Sequence, residues 1–251
     1  MLKFFRTIRK NLLASSKTGK YFQYAIGEII LVVIGILLAL QINNWNNERV
    51  ERATMRNYYE RMYTEVEEEI KVIERFIGHE ERLIAMNTRS MKIIDSQNRD
   101  SIPALRETLG ALATAWAVEV QFPVVEEFID QGYISKIESD SLKWALKQYS
   151  YSMNMMEVMD KYITKQYEDR IEPYINENIN YSEVALKRYR DRFIEGGPPT
   201  EFEYLFNDLE FWNLLTFKSE GLAGDIKLNR RIVERLDKLN RQIEKELDKE
   251  S

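Results

Sequence analysis

The chain has 251 residues with 44% hydrophobic and 31% charged side chains, which suits a folded helical protein of one or two domains better than a disordered one. It has no Cys, which excludes disulfides, thiolate nucleophiles and Cys-ligated zinc, while 10 Gly and 5 Pro are few turn residues for an all-β fold. The net charge of -5 is unevenly spread: residues 1–20 hold Lys3, Arg6, Arg9, Lys10, Lys17 and Lys20 and no acid, leaving 30 basic against 41 acidic residues, a balance that argues against nucleic acid as a partner.

Residues 1–24 therefore read as a basic tail, and residues 25–42 as a transmembrane helix. From Ala25 to Ile42 the chain is apolar apart from Glu28 and Gln41, a length of roughly 27 Å as a helix, close to the thickness of a bilayer's hydrocarbon core. Tyr24 and Trp45 would lie about 31 Å apart, where amphipathic rings sit at the two membrane interfaces. No small-x-small cleavage pattern follows the run, so an uncleaved anchor is expected rather than a signal peptide. The unopposed basic residues before the span put the N-terminus in the cytoplasm. In a Gram-negative bacterium this is an inner-membrane, single-pass protein with a periplasmic body.

Glu28 has two readings. It lies four residues inside Tyr24, about 6 Å along the helix, so its carboxylate can snorkel to the interface or meet Lys20 or the helix N-terminal dipole. Alternatively, Gly35, Ala39 and Ile42 fall within about 40° of Glu28 on the helix. Gly35 and Ala39 form a small-xxx-small pair that lets a second helix approach, with the Glu28 carboxyl holding it. The partners expected are the lipid bilayer and either further copies of the chain or another membrane protein. A carboxylate in the cytoplasmic half of a lone span also resembles the single-span partners of ion-driven stator complexes, although those generally bear an Asp and a recognisable anchoring domain.

Residues 43–251 read as an extracytoplasmic helical bundle. The pattern Met55, Tyr59, Met62, Val66, Ile70, Ile73, Ile77, Ile84, Met91 predicts one helix over about Glu48–Ile94, roughly 70 Å long if straight. The Asn cluster before it either caps its start or lies within a helix continuing from the membrane. "SQNRDSIP" reads as a loop, with Pro103 in the first turn of a helix reaching about Ala117. Residues 124–131 form a short helix closed by Gly132, and Ser139 or Asp140 caps a long one whose inner face follows Leu142, Leu146, Tyr149, Met153, Met156, Met159 or Asp160, Ile163 and Tyr167. "INENINYSEV" leads into a helix ending near Ile194, and "EGGPPT" is a loop. Glu201–Phe206 is a short helix, and Asp208 caps a final helix over Leu209–Leu247 that can bend at Gly221 and Gly224. Together these give an all-α fold: an N-terminal transmembrane helix followed by an antiparallel bundle of long helices.

Tyr149, Tyr151, Tyr162, Tyr167, Tyr174, Tyr181 and Tyr189 fit core positions, with a ligand groove as the alternative. The cluster Met153, Met155, Met156 and Met159 fits gap-filling in the bundle or an adaptable contact surface. His79 is the only His, so "HEERL" lacks the second zinc ligand of a zincin, and a di-iron site with two Glu-x-x-His motifs is impossible. No nucleophile elbow surrounds any Ser, "ASSKTGKY" lacks the phosphate-loop pattern, and "EVEEEIKVIE" reads as a solvated face. No catalytic residue, metal site or cofactor is expected.

The stretch "YAIGEIILVVIGILLALQINNWNNE" with "FFRTIRKNLL" before it resembles the signature of a large family of uncharacterised bacterial single-span membrane proteins. "GYISKIESDSLKWALKQY" and "NDLEFWNLL" are similar to weaker segments of that family. The resemblance implies an N-terminal anchor and a helical extracytoplasmic region, with no reaction attached. Three functions are open: a non-enzymatic structural or interaction module, a ligand-binding sensor or accessory subunit, and an ion-coupled membrane subunit using Glu28.

Overall fold

The computed structural model describes residues 18–190, 192–194 and 196–249. The tail before Thr18, and the side chain of Tyr24, lie outside the described residues. All regular structure among the described residues is helical, with no strand. The chain divides into two units, Met1–Asn57 and Tyr58–Ser251.

The first helix, α1, runs without interruption over Thr18–Ser96, so the Asn cluster is interior to a helix and caps nothing. Short pieces follow. A 3-10 turn at Arg99–Ser101, held by Asn98 accepting from the Asp100 N–H at 3.0 Å, leads into α2, Ile102–Thr108, with Pro103 in its first turn. There the helix stops: a 3-10 turn at Leu109–Ala111 is followed by residues 114–122 without regular structure, so the expected helix to Ala117 is replaced by a strap.

Helix α3 is Pro123–Asp130, and Gly132 closes it in the left-handed region at φ 75°, a conformation open to Gly at little cost. Ser139 caps α4, Asp140–Gln166, accepting from the Leu142 N–H at 3.2 Å. The helix then passes through a π turn at Tyr167–Ile171 into α5, Glu172–Asn178. Pro173, in the first turn of α5, has no N–H to give the preceding turn, and a widened turn lets the chain continue past it. The expected helix to Ile194 is instead two single turns, α6 at Tyr181–Val184 and α7 at Lys187–Arg190. Asn180 binds the "EGGPPT" loop from below, donating to the carbonyls of Gly196 and Pro198 at 2.9 Å each. After α8, Phe202–Leu205, the last helix α9 is Leu209–Lys249. Asp208 caps it, accepting from the Glu210 N–H at 2.9 Å and the Phe211 N–H at 3.4 Å.

Within Tyr58–Ser251, α9 runs antiparallel to both the later part of α1 and α4. Asn87 meets Leu215, Glu81 meets Arg230 and Asn240 meets Tyr63, while Ser152 meets Arg235. The three helices enclose a core in which Met62, Val66, Ile73, Leu142, Leu146, Ile232 and Leu236 are wholly or almost wholly buried. A second apolar cluster joins Ile93, Ile94, Leu105, Leu109, Tyr174, Phe211 and Leu215, so the short pieces close one end of the three-helix body. One close approach there depends on a missing side chain: a Cβ on Gly110 would lie 2.5 Å from the Val184 carbonyl oxygen and 2.7 Å from the Leu186 nitrogen.

Candidate functional site

In the first unit the apolar part of α1 presents Ile29, Val33, Leu37 and Leu40 outward, each about half or more exposed. By length and composition it is the one helix among the described residues fit to cross a membrane. Glu28 is half-buried on it and is not without a partner. A Cβ built on Gly35 meets no atom within 4 Å, so that side of the helix is open. Trp45 is exposed, with the Arg49 guanidinium 6.0 Å from its ring.

In the second unit the buried stripe of α1 continues past Ile77 at helical steps but admits polar residues: Glu80, Asn87 and Ser90 are buried on it between the apolar Leu83 and Ile94 positions. Ile84 and Met91, the expected continuation, lie at its edge and are only partly buried. Helix α9 does the same, burying Lys218, Asp225, Asn229 and Asn240 among its apolar positions. Some of these polar groups pin the helices in register. Asn87 donates to the Leu215 carbonyl at 2.7 Å and to Ser219 Oγ at 2.6 Å, Ser90 donates to Thr108 Oγ1 at 2.7 Å, and Asn240 donates to the Tyr63 carbonyl at 3.2 Å. A displaced register would strand these groups without partners, which is costly in a dry interior.

Three others form a charged cluster. Glu80 of α1 faces Asp225 of α9, and burial, reinforced by the nearby Asp225, pushes its carboxyl up to about 9. Burial raises Asp225 as well, and the hydrogen bond with Glu80 opposes that rise, so the pair holds a proton above the ordinary carboxylate range. Lys218, about two turns before Asp225 on the same face of α9, is pulled down to about 8 by burial against the opposing pull of Glu80 and Asp225. Its ammonium donates to the Thr114 carbonyl oxygen at 2.5 Å. Asn229 helps hold the Asp225 charge, although its amide atoms make no hydrogen bond of full geometry, and Glu80 Oε2 is likewise buried without a partner.

The strap is fastened at both ends by charged side chains. Lys218 holds Thr114, and Glu65 of α1 accepts from the N–H groups of Val124 and Val125 at 2.9 and 3.0 Å, at the start of α3. Between these points the strap stands over the later part of α4 and leaves a cavity of about 270 Å³. Trp116, Ala117, Val118, Val120 and Phe122 line it from the strap side, Glu126 from α3, Met153, Met156, Glu157, Asp160 and Ile163 from α4, and Asp225 from α9. Asp225 thus belongs both to the buried cluster and to the cavity wall.

The tyrosines divide. Tyr149 and Tyr174 are buried, Tyr174 donating to Asp208, as core positions require. Tyr151 and Tyr162 are exposed and outside the core. Tyr167, Tyr181 and Tyr189 are half-buried and line a cleft of about 280 Å³ with Trp116 and Phe193. The four methionines expected to fill the bundle are all only partly buried, and two of them wall the cavity. His79 is half-buried with Nε2 3.5 Å from Arg188 Nη2; burial, then the charges of Arg188 and Arg82, lower its pKa. Among the described residues no three His, Asp or Glu side chains are grouped so as to hold a metal ion.

The Glu80, Lys218 and Asp225 cluster escapes a reading by hydropathy because it counts each as a surface residue. The detectable signal is position: Glu80 is three residues after Ile77, and Asp225 three after Leu222, each on the inward stripe of its helix. No family model, curated protein or solved structure matches the chain.

Proposed function

We propose that the protein is a non-enzymatic, membrane-anchored helical interaction module. The apolar, outward-facing segment of α1 carries this reading, since exposed Ile, Val and Leu side chains over that length suit lipid better than water. On this reading the protein is a single-pass inner-membrane protein of a bacterium, with N-terminus cytoplasmic and body periplasmic. Glu28, Gly35 and Ala39 form a helix-docking face, and Tyr24 and Trp45 mark the interfaces. The open space beside Gly35 suits close approach by a second helix, either another copy or a different membrane protein.

The test is extraction of the full chain from membranes, followed by the mass of the complex in mild detergent. The protein is expected to stay in the membrane after alkaline carbonate treatment and to run as a self-oligomer or with a stoichiometric membrane partner. Gly35→Leu is expected to reduce that complex. Release by carbonate would remove the span, and an unchanged mass for Gly35→Leu would remove the docking face.

A second reading, a ligand-binding body, is favoured by the half-open cavity under the strap, with polar and apolar groups lining one space.

A further inference from the structure

We propose that the cavity under the strap binds a small organic cation with an apolar body, of the arylalkylamine class. The proposal rests on the ligand-binding reading and assigns its ligand chemistry.

Shape limits the size. A cavity of about 270 Å³ lies just under the usual range for drug-sized ligands, so the occupant is small. The walls select its character. Trp116 and Phe122 contribute aromatic rings to the wall, and Met153 and Met156 contribute polarizable thioethers that follow an apolar body. Against them stand carboxylates alone: no Lys, Arg or His contributes to the lining. The deepest is Asp225, 7% exposed, and half-buried Asp160 lies near enough for its charge to push the Asp225 carboxyl upward. A cation between these two acids would turn that repulsion into attraction.

The neighbouring ammonium groups already answer two of the four lining carboxylates, Glu157 and Asp225. Lys218 donates to the Thr114 carbonyl and faces Glu80 as well as Asp225, while Lys161 pairs with Glu157. Asp160 forms no ion pair with any described residue. A hard metal ion is a poor match, because it requires several oxygen ligands converging at short distance. The four lining carboxylates are not grouped as a metal site, and Asp160 and Asp225 among aromatic rings and thioethers are better matched by an ammonium with an apolar body.

Binding of phenethylamine to the full chain in detergent, followed by calorimetry, tests this against two relatives of similar shape, neutral phenethyl alcohol and anionic phenylacetate. The amine is expected to bind saturably and at least about tenfold tighter than either, the scale of one charge-assisted hydrogen bond. Asp160→Asn is expected to remove about tenfold of that affinity without lowering the melting temperature, because Asp160 is a half-buried helix position with no ion pair to lose and its charge repels Asp225. Ala117→Lys, which brings an ammonium to the cavity from an exposed strap position, is expected to weaken binding similarly. Equal or tighter binding of the alcohol or the acetate would overturn the ligand class while leaving a ligand cavity in place. No binding by any of the three would overturn both, and amine affinity unchanged in both variants would place the ammonium elsewhere and overturn the assignment.

Discussion

The apolar segment of the first unit and the three-helix body of the second use the same helix differently. Between Ala25 and Ile42, α1 is apolar around nearly its whole circumference and exposes those side chains. From Tyr59 to Ile94 it is apolar along one stripe, and that stripe admits Glu80, Asn87 and Ser90. In the first case composition decides the environment; in the second position does, and a charged residue is buried because of where it falls in the helical repeat.

The comparison breaks most visibly under matched truncations. Ile73→Ala, at a wholly buried position, is expected to lower the stability of the body by about 2–5 kcal/mol, whereas Leu37→Ala is expected to leave its denaturation midpoint unchanged. Chemical unfolding of the two variants in detergent measures both. A uniform loss would mean that the apolar segment contributes to the body's packing. Gly110→Ala is expected to cost about 1–3 kcal/mol, since the added methyl meets backbone atoms that cannot rotate away. The same change at Gly35 is expected to have no effect on the body.

The charged stripe predicts a pH dependence. Glu80, and with it Asp225, has a raised carboxyl pKa in the folded state. Between the ordinary carboxylate range and about 9 the folded protein thus holds more protons than the unfolded chain, and its stability falls as pH rises through that window. Lys218, lowered to about 8, acts in the opposite direction, but only above that pH, where the folded state has fewer protons on this group than the unfolded. His79, also lowered, opposes the slope below the ordinary imidazole value, so the clean window is about pH 7–8, with a slope of up to about 1.4 kcal/mol per pH unit for one proton. Thermal melts across it are expected to flatten in Glu80→Gln; an equally steep slope in that variant would assign the protons to other groups. Asp208→Ala is expected to cost about 1–3 kcal/mol, since it removes both the α9 cap and the acceptor of the buried Tyr174 hydroxyl, read as a shift in melting temperature.

Much of the fold is legible in the sequence because local signals coincide with the final structure. Pro103, Gly132, Ser139 and Asp208 each stand where a helix begins or ends, and each acts through its own backbone conformation or its nearest N–H groups. The strap is not legible in this way. "GALATAW" has good helix formers, but Gly110 is drawn against the backbone of α6 and the following linker, and Lys218 holds the Thr114 carbonyl from more than a hundred residues away. Tertiary contacts outweigh propensity there. The helix towards Ile194 fails for a related reason: Asn180 and Thr200 tie the two ends of that region together, with the Asn180 N–H donating to Thr200 Oγ1 at 2.9 Å.

The candidate cavity is less legible still. Its walls come from the strap, α3, α4 and α9, and no two neighbouring stretches of sequence announce that they will meet. Met153, Met156 and Asp160 do share one face of α4, at steps of three and four, and an acid on an otherwise apolar face was the available hint.

The strap is tied by side chains of other helices at Thr114 and at Val124 and Val125. Its intervening amides belong to no helix, whereas the helices on either side are closed ladders. In deuterium exchange, residues 115–121 should take up label through local excursions while the amides of α4 and α9 retain theirs until the whole body unfolds. Such a pattern would make the cover of the cavity a less stable unit within a more stable frame, detaching in the middle while both ends remain tied.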